Sequence, residues 1–303
     1  MKLALVGIGK IALDQHVPAL ADSPDWELAA TVSRSGTVPG VDSFTDIGTM
    51  LDTHPEIGTV SLCLPPVPRF AAAVAVLRAG RHLMLEKPPG ATLSEVHILH
   101  DLARAQGVSL FATWHSRMAH GVAAARAWLA DKTIREGRII WREDIRKWHP
   151  GQDWILEAGG MGVFDPGINA LSILTEILPR PVHLTGAELD MPANRQAPIA
   201  ARLRLSDQIT ADFDFLQQGP QTWDMEFQTD AGPLALRMGG NILEIDGQPV
   251  EGRNSIMGEY PALYARMADL VRQGASDVDL SPMVLVADAF TLGRRRIVET
   301  FEF

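Results

Sequence analysis

Along the first 115 residues, short apolar runs alternate with stretches in which apolar positions recur three or four residues apart. The runs predict strands and the spaced stretches predict amphipathic helices, which together make successive βαβ units. Strands are expected at Lys2–Val6, Trp26–Ser33, Thr59–Leu64, His82–Glu86 and Ser109–Trp114. Helices are expected near Ile11–Ala21, Asp46–Asp52, Pro68–Ala79 and Ser94–Gln106. Gly80 and Gly107 stand where a helix stop favours left-handed backbone, and Thr92-Leu-Ser-Glu95 has the spacing of a capping box.

After Met118 the rhythm changes. A helix near Gly121–Asp131, a strand near Arg138–Asp144 and a helix at Phe164–Ile177 precede a long strand-rich stretch. Strands are expected there at Val182–Leu189, Ile199–Leu205, Thr210–Phe215, Trp223–Thr229, Pro233–Met238 and Ile242–Ile245. Gly219-Pro220, Asp230-Ala-Gly232 and Asp246-Gly247 are turn formers between strands that run antiparallel. Two helices, Pro261–Gln273 and Pro282–Thr300, close the chain. The pattern predicts a doubly wound α/β domain over 1–117 and an α+β domain with a large, mostly antiparallel open sheet over 118–303. Such a sheet invites pairing with a second copy, so a homodimer or larger homo-oligomer is expected.

Composition narrows the function. A net charge of −10 argues against nucleic acid or an anionic membrane as partner, and no apolar stretch approaches the ~20 residues of a membrane span. The single cysteine, Cys63, excludes a disulfide framework and a Cys-based zinc cluster, and fits a reducing cytoplasm. His97 and His100 lack an evident third ligand at matching spacing, so no metal is expected. No Gly-x-Ser-x-Gly elbow points to a hydrolase. Seven tryptophans against two tyrosines is unusual, and Trp114, Trp141, Trp148, Trp154 and Trp223 fall in or beside segments that carry candidate chemistry.

Gly7-Ile-Gly-Lys-Ile-Ala12 is G-x-G-x-x-A between the first strand and the first helix. There the first glycine makes the turn, the second admits a pyrophosphate, and the helix N-terminus faces the phosphates, as in a Rossmann dinucleotide site. The turn nominates Gly7, Ile8, Gly9, Lys10 and Ile11 as cofactor contacts. The second strand ends in Ser33-Arg34-Ser35, with no carboxylate for a ribose 2′-hydroxyl and a guanidinium suited to a 2′-phosphate. NADP is therefore the expected preference, with NAD also used.

The turn, Leu62-Cys-Leu-Pro-Pro66, Glu86-Lys-Pro88 and Gly159-Gly-Met-Gly-Val-Phe-Asp-Pro-Gly-Ile-Asn169 together resemble the glucose-fructose oxidoreductase/inositol dehydrogenase (Gfo/Idh/MocA) family. Phe111–Arg117, Trp148–Trp154, Phe164–Asn169 and Glu259–Tyr264 are similar, more narrowly, to its bacterial L-arabinose/D-galactose 1-dehydrogenase branch. The resemblance implies oxidation of an aldose at C1 to its lactone. It adds Cys63, Leu64, Pro65, Pro66, Glu86 and Lys87 to the cofactor contacts. It implies Lys87, Asp165 and Asn169 as the catalytic set, and His115, Glu143, Trp148, His149 and Trp223 as sugar contacts beside them. The broader family has histidine where Asn169 stands; an amide positions a hydroxyl but cannot act as the base. Asp165 and Lys87 both stay open as that base. An inositol-type or other polyol dehydrogenase and a non-catalytic NAD(P)-sensing regulator are the competing readings.

Overall fold

Strands β1 (Lys2–Val6), β2 (Glu27–Val32), β3 (Asp42–Phe44), β4 (Thr59–Leu62), β5 (His82–Leu85) and β6 (Leu110–Ala112) form a parallel sheet in the order β3-β2-β1-β4-β5-β6. Strand order reverses between β1 and β4, which opens a crevice at their carboxyl ends, where ligands bind in folds of this kind. Helices α1 (Val17–Ala21), α2 (Ile47–Thr53), α3 (Pro66–Arg78) and α4 (Leu93–Gln106) connect the strands. A core of Ala4, Val6, Val60, Leu62, Leu83 and Leu85 packs against Val76, Leu77, Leu99 and Ala103 of α3 and α4. Each valine or leucine among them contributes about 1.5–3 kcal/mol when fully buried. The capping box on α4 is complete, with Thr92 and Glu95 bonding reciprocally, and Gly107 ends the helix at φ 68°.

The computed structural model describes residues 1–252 and 258–303, which divide into two units. One comprises Met1–His115 and Tyr260–Asp279; the other comprises Ser116–Glu259 and Leu280–Phe303. The first unit is completed by residues from far along the chain. The N–H of Ala112 in β6 donates to the Asp277 carbonyl, and the Asp277 N–H donates to that of Leu110 (both 2.9 Å).

The second unit adds α5 (Val122–Leu129), β7 (Ile134–Arg142), α6 (Ile145–Trp148) and α7 (Phe164–Ile177). Strands β8 (Leu184–Pro192), β9 (Ala200–Leu205), β10 (Ile209–Asp214), β11 (Thr222–Thr229), β12 (Gly232–Arg237), β13 (Ile242–Ile245) and β14 (Gln248–Gly252) follow. After α8 (Glu259–Gln273) and α9 (Ser281–Leu292) the chain ends in β15 (Arg294–Val298). The sheet is nine-stranded, β14-β13-β12-β11-β7-β10-β9-β8-β15. All its pairings are antiparallel except β7 with β10 and β8 with β15. Alternation along β7 and β10 buries one face, including Ile139, Trp141, Ala211 and Phe213. The other carries cross-strand ion pairs, Arg142 with Asp212, Arg202 with Glu188 and Asp190, and Arg237 with Asp224 and Glu226.

Three local expectations change. The last helix stops at Leu292 rather than Thr300, and Arg294–Val298 joins the sheet because Arg296 makes two hydrogen bonds to Asp190 (2.8 and 2.6 Å). Asp42–Phe44 and Gln248–Gly252 are additional short edge strands. The first helix opens with a π-turn, Ala12–His16, which ends on the fully buried ring of His16.

Candidate active site

The nominated cofactor residues sit at the carboxyl ends of four neighbouring strands, β2, β1, β4 and β5. Gly7 takes φ 89°, and a side chain there would press on the Cys63–Leu64 backbone. Gly9 faces open space, so its missing Cβ leaves room for a pyrophosphate beside the helix start. The turn after β2 closes on its own hydroxyl: Ser33 Oγ accepts from the backbone N–H groups of Ser35 (3.4 Å) and Gly36 (3.1 Å). A Cβ on Gly36 would run into the Ile8 carbonyl, so this turn lies directly against the glycine turn. Arg34 is exposed at its tip and has no ion pair among the described residues. Lys10 pairs with Asp14 on the first helical turn. These residues fit a nicotinamide dinucleotide.

Arg69 was not foreseen. Buried at the start of α3, it donates to the carbonyls of Leu64, Glu86 and Pro88, which ties the loops after β4 and β5 together. An arginine in the first turn of the otherwise apolar start of Pro66–Arg78 was the available signal.

Glu86 points inward. Its carboxylate accepts from the Lys87 backbone N–H (2.6 Å) and the Tyr260 hydroxyl (2.7 Å), and lies 3.2 Å from His16 Nε2. His16 Nδ1 stands 2.7 Å from the Tyr264 hydroxyl. Burial opposes charge on both partners. For Glu86, the hydrogen bond and charge of His16, the charge of His115 and the Tyr260 hydroxyl outweigh it and hold the carboxyl far below its usual range. For His16, burial is outweighed by Cys63, Tyr264 and Glu86, and its pKa is raised well above the ordinary value. An imidazolium with a raised folded pKa contributes stability that is complete below the unfolded value of ~6.5 and is lost as pH rises through the folded one. Glu86 behaves oppositely: its contribution is present above ~4.3 and is lost only on strong acidification. Melting temperature is therefore expected to fall as pH rises above about 6.5, and His16→Gln to flatten that slope. Thermal unfolding at stepped pH reads this directly; equal slopes in both proteins would overturn it. His115 stacks on Tyr260 with centroids 5.5 Å apart.

In the second unit, α7 carries Asp165 and, one turn later, Asn169. Gly162, at φ 56°, lets the loop pass against the Pro198 carbonyl, and Val163 N–H bonds that oxygen at 2.7 Å. Gly167 lets α7 press onto the Phe213 ring. Asp165 is only 3% exposed, while Asn169 is the one position from 162 to 174 that is not buried. His149 Nε2 lies 3.5 Å from the Asp165 carboxylate and 3.8 Å from that of Glu143. His149 reaches this place because Asp144 caps α6, its side chain accepting from Arg146 N–H at 3.0 Å. Glu143 Oε2 accepts from Trp223 Nε1 at 2.9 Å.

Trp141 and Trp223 are cross-strand partners stacked with centroids 5.8 Å apart, and Trp148 tilts against Trp223 at 5.3 Å. The Nε1 donors of Trp141 and Trp148 are buried without a hydrogen-bond partner among the described residues. The unit thus gathers Glu143, Trp148, His149, Asp165 and Trp223: two buried carboxylates, an imidazole and aromatic faces, with Asn169 on the next turn of α7. Such a set suits a polyhydroxylated ring. Trp114 packs in the first unit, its Nε1 donating to the Asp279 carbonyl at 2.9 Å. Among the described residues no group of three or more His, Cys, Asp or Glu side chains is arranged to hold a metal. No described helix is long and apolar enough to cross a membrane.

Comparison with known proteins places these features in context. Residues 1–113 match the model of the GFO_IDH_MocA oxidoreductase family with an NAD-binding Rossmann fold. The chain is 43% identical to galactose 1-dehydrogenase of Pseudomonas fluorescens, over 99% of this chain and 98% of that one. It is 55% identical to the crystal structure of D-galactose-1-dehydrogenase from Rhizobium etli, with TM-score 0.94, covering 99% of this chain and 97% of that one. A 3-ketoreductase from Actinomadura kijaniata, solved with TDP-benzene and NADP, shares the fold at 19% identity and TM-score 0.83, covering 98% of this chain and 99% of that one.

Proposed function

The chain belongs to the Gfo/Idh/MocA oxidoreductase family, and from that premise we propose that it oxidises an aldose of galactose configuration at C1 to its lactone with NAD(P). The observation that carries the reading is the buried Asp165 carboxylate with His149 at 3.5 Å and Asn169 one turn away. Bound NADP supplies the hydride acceptor. Asp165 takes the C1 hydroxyl proton, and His149, in contact with it and partly exposed, passes that proton toward solvent. Lys87 orients the C1 oxygen. Asn169 and Glu143 hold ring hydroxyls, Trp148 and Trp223 cover the C–H side of the ring, and His115 completes the sugar contacts. L-arabinose lacks only the C5 hydroxymethyl group of galactose and is expected as a second substrate.

The test is nicotinamide absorbance with a panel of aldoses and polyols, run separately with NADP and NAD. Turnover with D-galactose and L-arabinose is expected. Activity confined to inositol would favour the polyol reading, and none with any sugar a non-catalytic nucleotide-binding protein.

NADP preference rests on Arg34 and on the lack of a carboxylate at the end of β2. A charged hydrogen bond is worth ~1.5–3 kcal/mol, so Arg34→Ala should lower kcat/KM for NADP about ten- to hundredfold and leave NAD nearly unchanged. An unaltered NADP/NAD ratio would remove the assignment. The same proposal includes a cytoplasmic homodimer or larger assembly through the ion-paired sheet face, which light scattering reads.

A further inference from the structure

The chain has two tyrosines, and both lie on one face of α8, four residues apart. Both end on one buried cluster. Tyr264 reaches His16, and Tyr260 donates to the Glu86 carboxylate, whose other oxygen holds the Lys87 backbone N–H. The Tyr260 ring also carries the stacked imidazole of His115. One side chain therefore supports the backbone of one residue with a proposed catalytic role and the ring of a proposed sugar contact.

We propose that Tyr260 is a positioning residue: its hydroxyl fixes Lys87 through Glu86, and its ring fixes His115. Two features separate this from plain core packing. The hydroxyl and the ring act on different groups, and the hydroxyl can be removed with the ring left in place. Glu86 has an oxygen for each task, Oε1 for Tyr260 and His16 and Oε2 for the Lys87 N–H, so loosening one side rotates the group that anchors the other. Displacement of a reacting group by about 1 Å costs up to hundredfold in rate, whereas packing loss lowers stability without selecting kcat.

The inference rests on the proposed sugar oxidation, so the experiment has one arm that needs turnover and one that does not. In the full-length enzyme, Tyr260→Phe keeps the ring and removes the hydroxyl; kcat should fall about ten- to hundredfold with KM for sugar little changed. Tyr260→Leu removes both, and KM for sugar should rise as well. In a Lys87→Ala background, Tyr260→Phe should have almost no further effect on kcat, because the hydroxyl acts through Lys87. A wild-type kcat in Tyr260→Phe, or a loss that persists undiminished without the Lys87 side chain, overturns the proposal.

The second arm is amide hydrogen exchange across residues 86–87, compared in wild type and Tyr260→Phe. Exchange at Lys87 should accelerate at least tenfold if the hydroxyl holds Glu86 in place. Unchanged exchange overturns the positioning role even if no sugar is turned over, whereas no turnover with accelerated exchange defeats only the functional reading. Glu86→Gln keeps the volume and an acceptor for Lys87 N–H, and should reproduce the kcat loss if Tyr260→Phe fails to fold.

Discussion

Asp165→Asn is expected to lower kcat for sugar oxidation by about three orders of magnitude, within the ~10²–10⁴ range of general acid–base catalysis. The substitution is isosteric, so the surroundings of this 3%-exposed position need not rearrange. The amide keeps an acceptor oxygen for His149 but cannot take a proton. KM should change little, and the melting temperature should stay near that of the wild type. If Asp165 is the base, the limb of the kcat/KM profile set by protonating that base disappears in the variant. Turnover within tenfold of wild type would end the assignment.

Lys87→Ala has the second-largest expected effect, a loss of about 10²–10³ in kcat from removing the group that orients the C1 oxygen. The backbone around it should survive, because Glu86 accepts from the backbone N–H of residue 87, a bond that alanine keeps. The two variants also decide which group is the base. If Lys87 is the base, the Ala variant loses the limb of the pH profile and Asp165→Asn retains it. Rate measurements from about pH 5 to 10 on both variants separate the two outcomes.

Much of this was legible in the chain because it is local. The parallel strands are short apolar runs, α4 has its capping box and terminal glycine, and α7 spans Phe164–Ile177 as its periodicity indicates. Two of the short edge strands were not, for a physical reason. Asp42–Phe44 has no buried residue, and Arg294–Val298 is exposed at its first four positions, so neither alternates. Both exist through their pairing partners, Asp42–Phe44 through β2 and Arg294–Val298 through β8, where the Arg296–Asp190 contact spans 106 residues.

The same holds for the site. Strand ends after glycine turns announce themselves, and an aspartate four residues before an asparagine defines one helix face. The His16–Glu86–Tyr260–Tyr264 cluster joins three segments up to 248 residues apart. Its trace in sequence was a histidine on the expected first helix and a tyrosine pair at helical spacing. Nothing in one sequence says that these two features meet. Arg69 and the partners of Trp223 are hidden in the same way, since a contact to a carbonyl or to a cross-strand residue leaves no local pattern.

The return of Tyr260–Asp279 to the first unit has a consequence for synthesis. The unit that carries the glycine turn cannot close when its own strands have been made. Trp114 waits for the Asp279 carbonyl, 165 residues further along, and β6 for its bonds to Asp277. At ~5–20 residues per second, a ribosome needs roughly ten to thirty seconds to supply them. During that interval the β6 edge and the pocket for α8 stand open on the nascent chain. A domain that comes first in sequence is thus among the last to finish folding, and the tyrosines that hold His16 and Glu86 are what complete it.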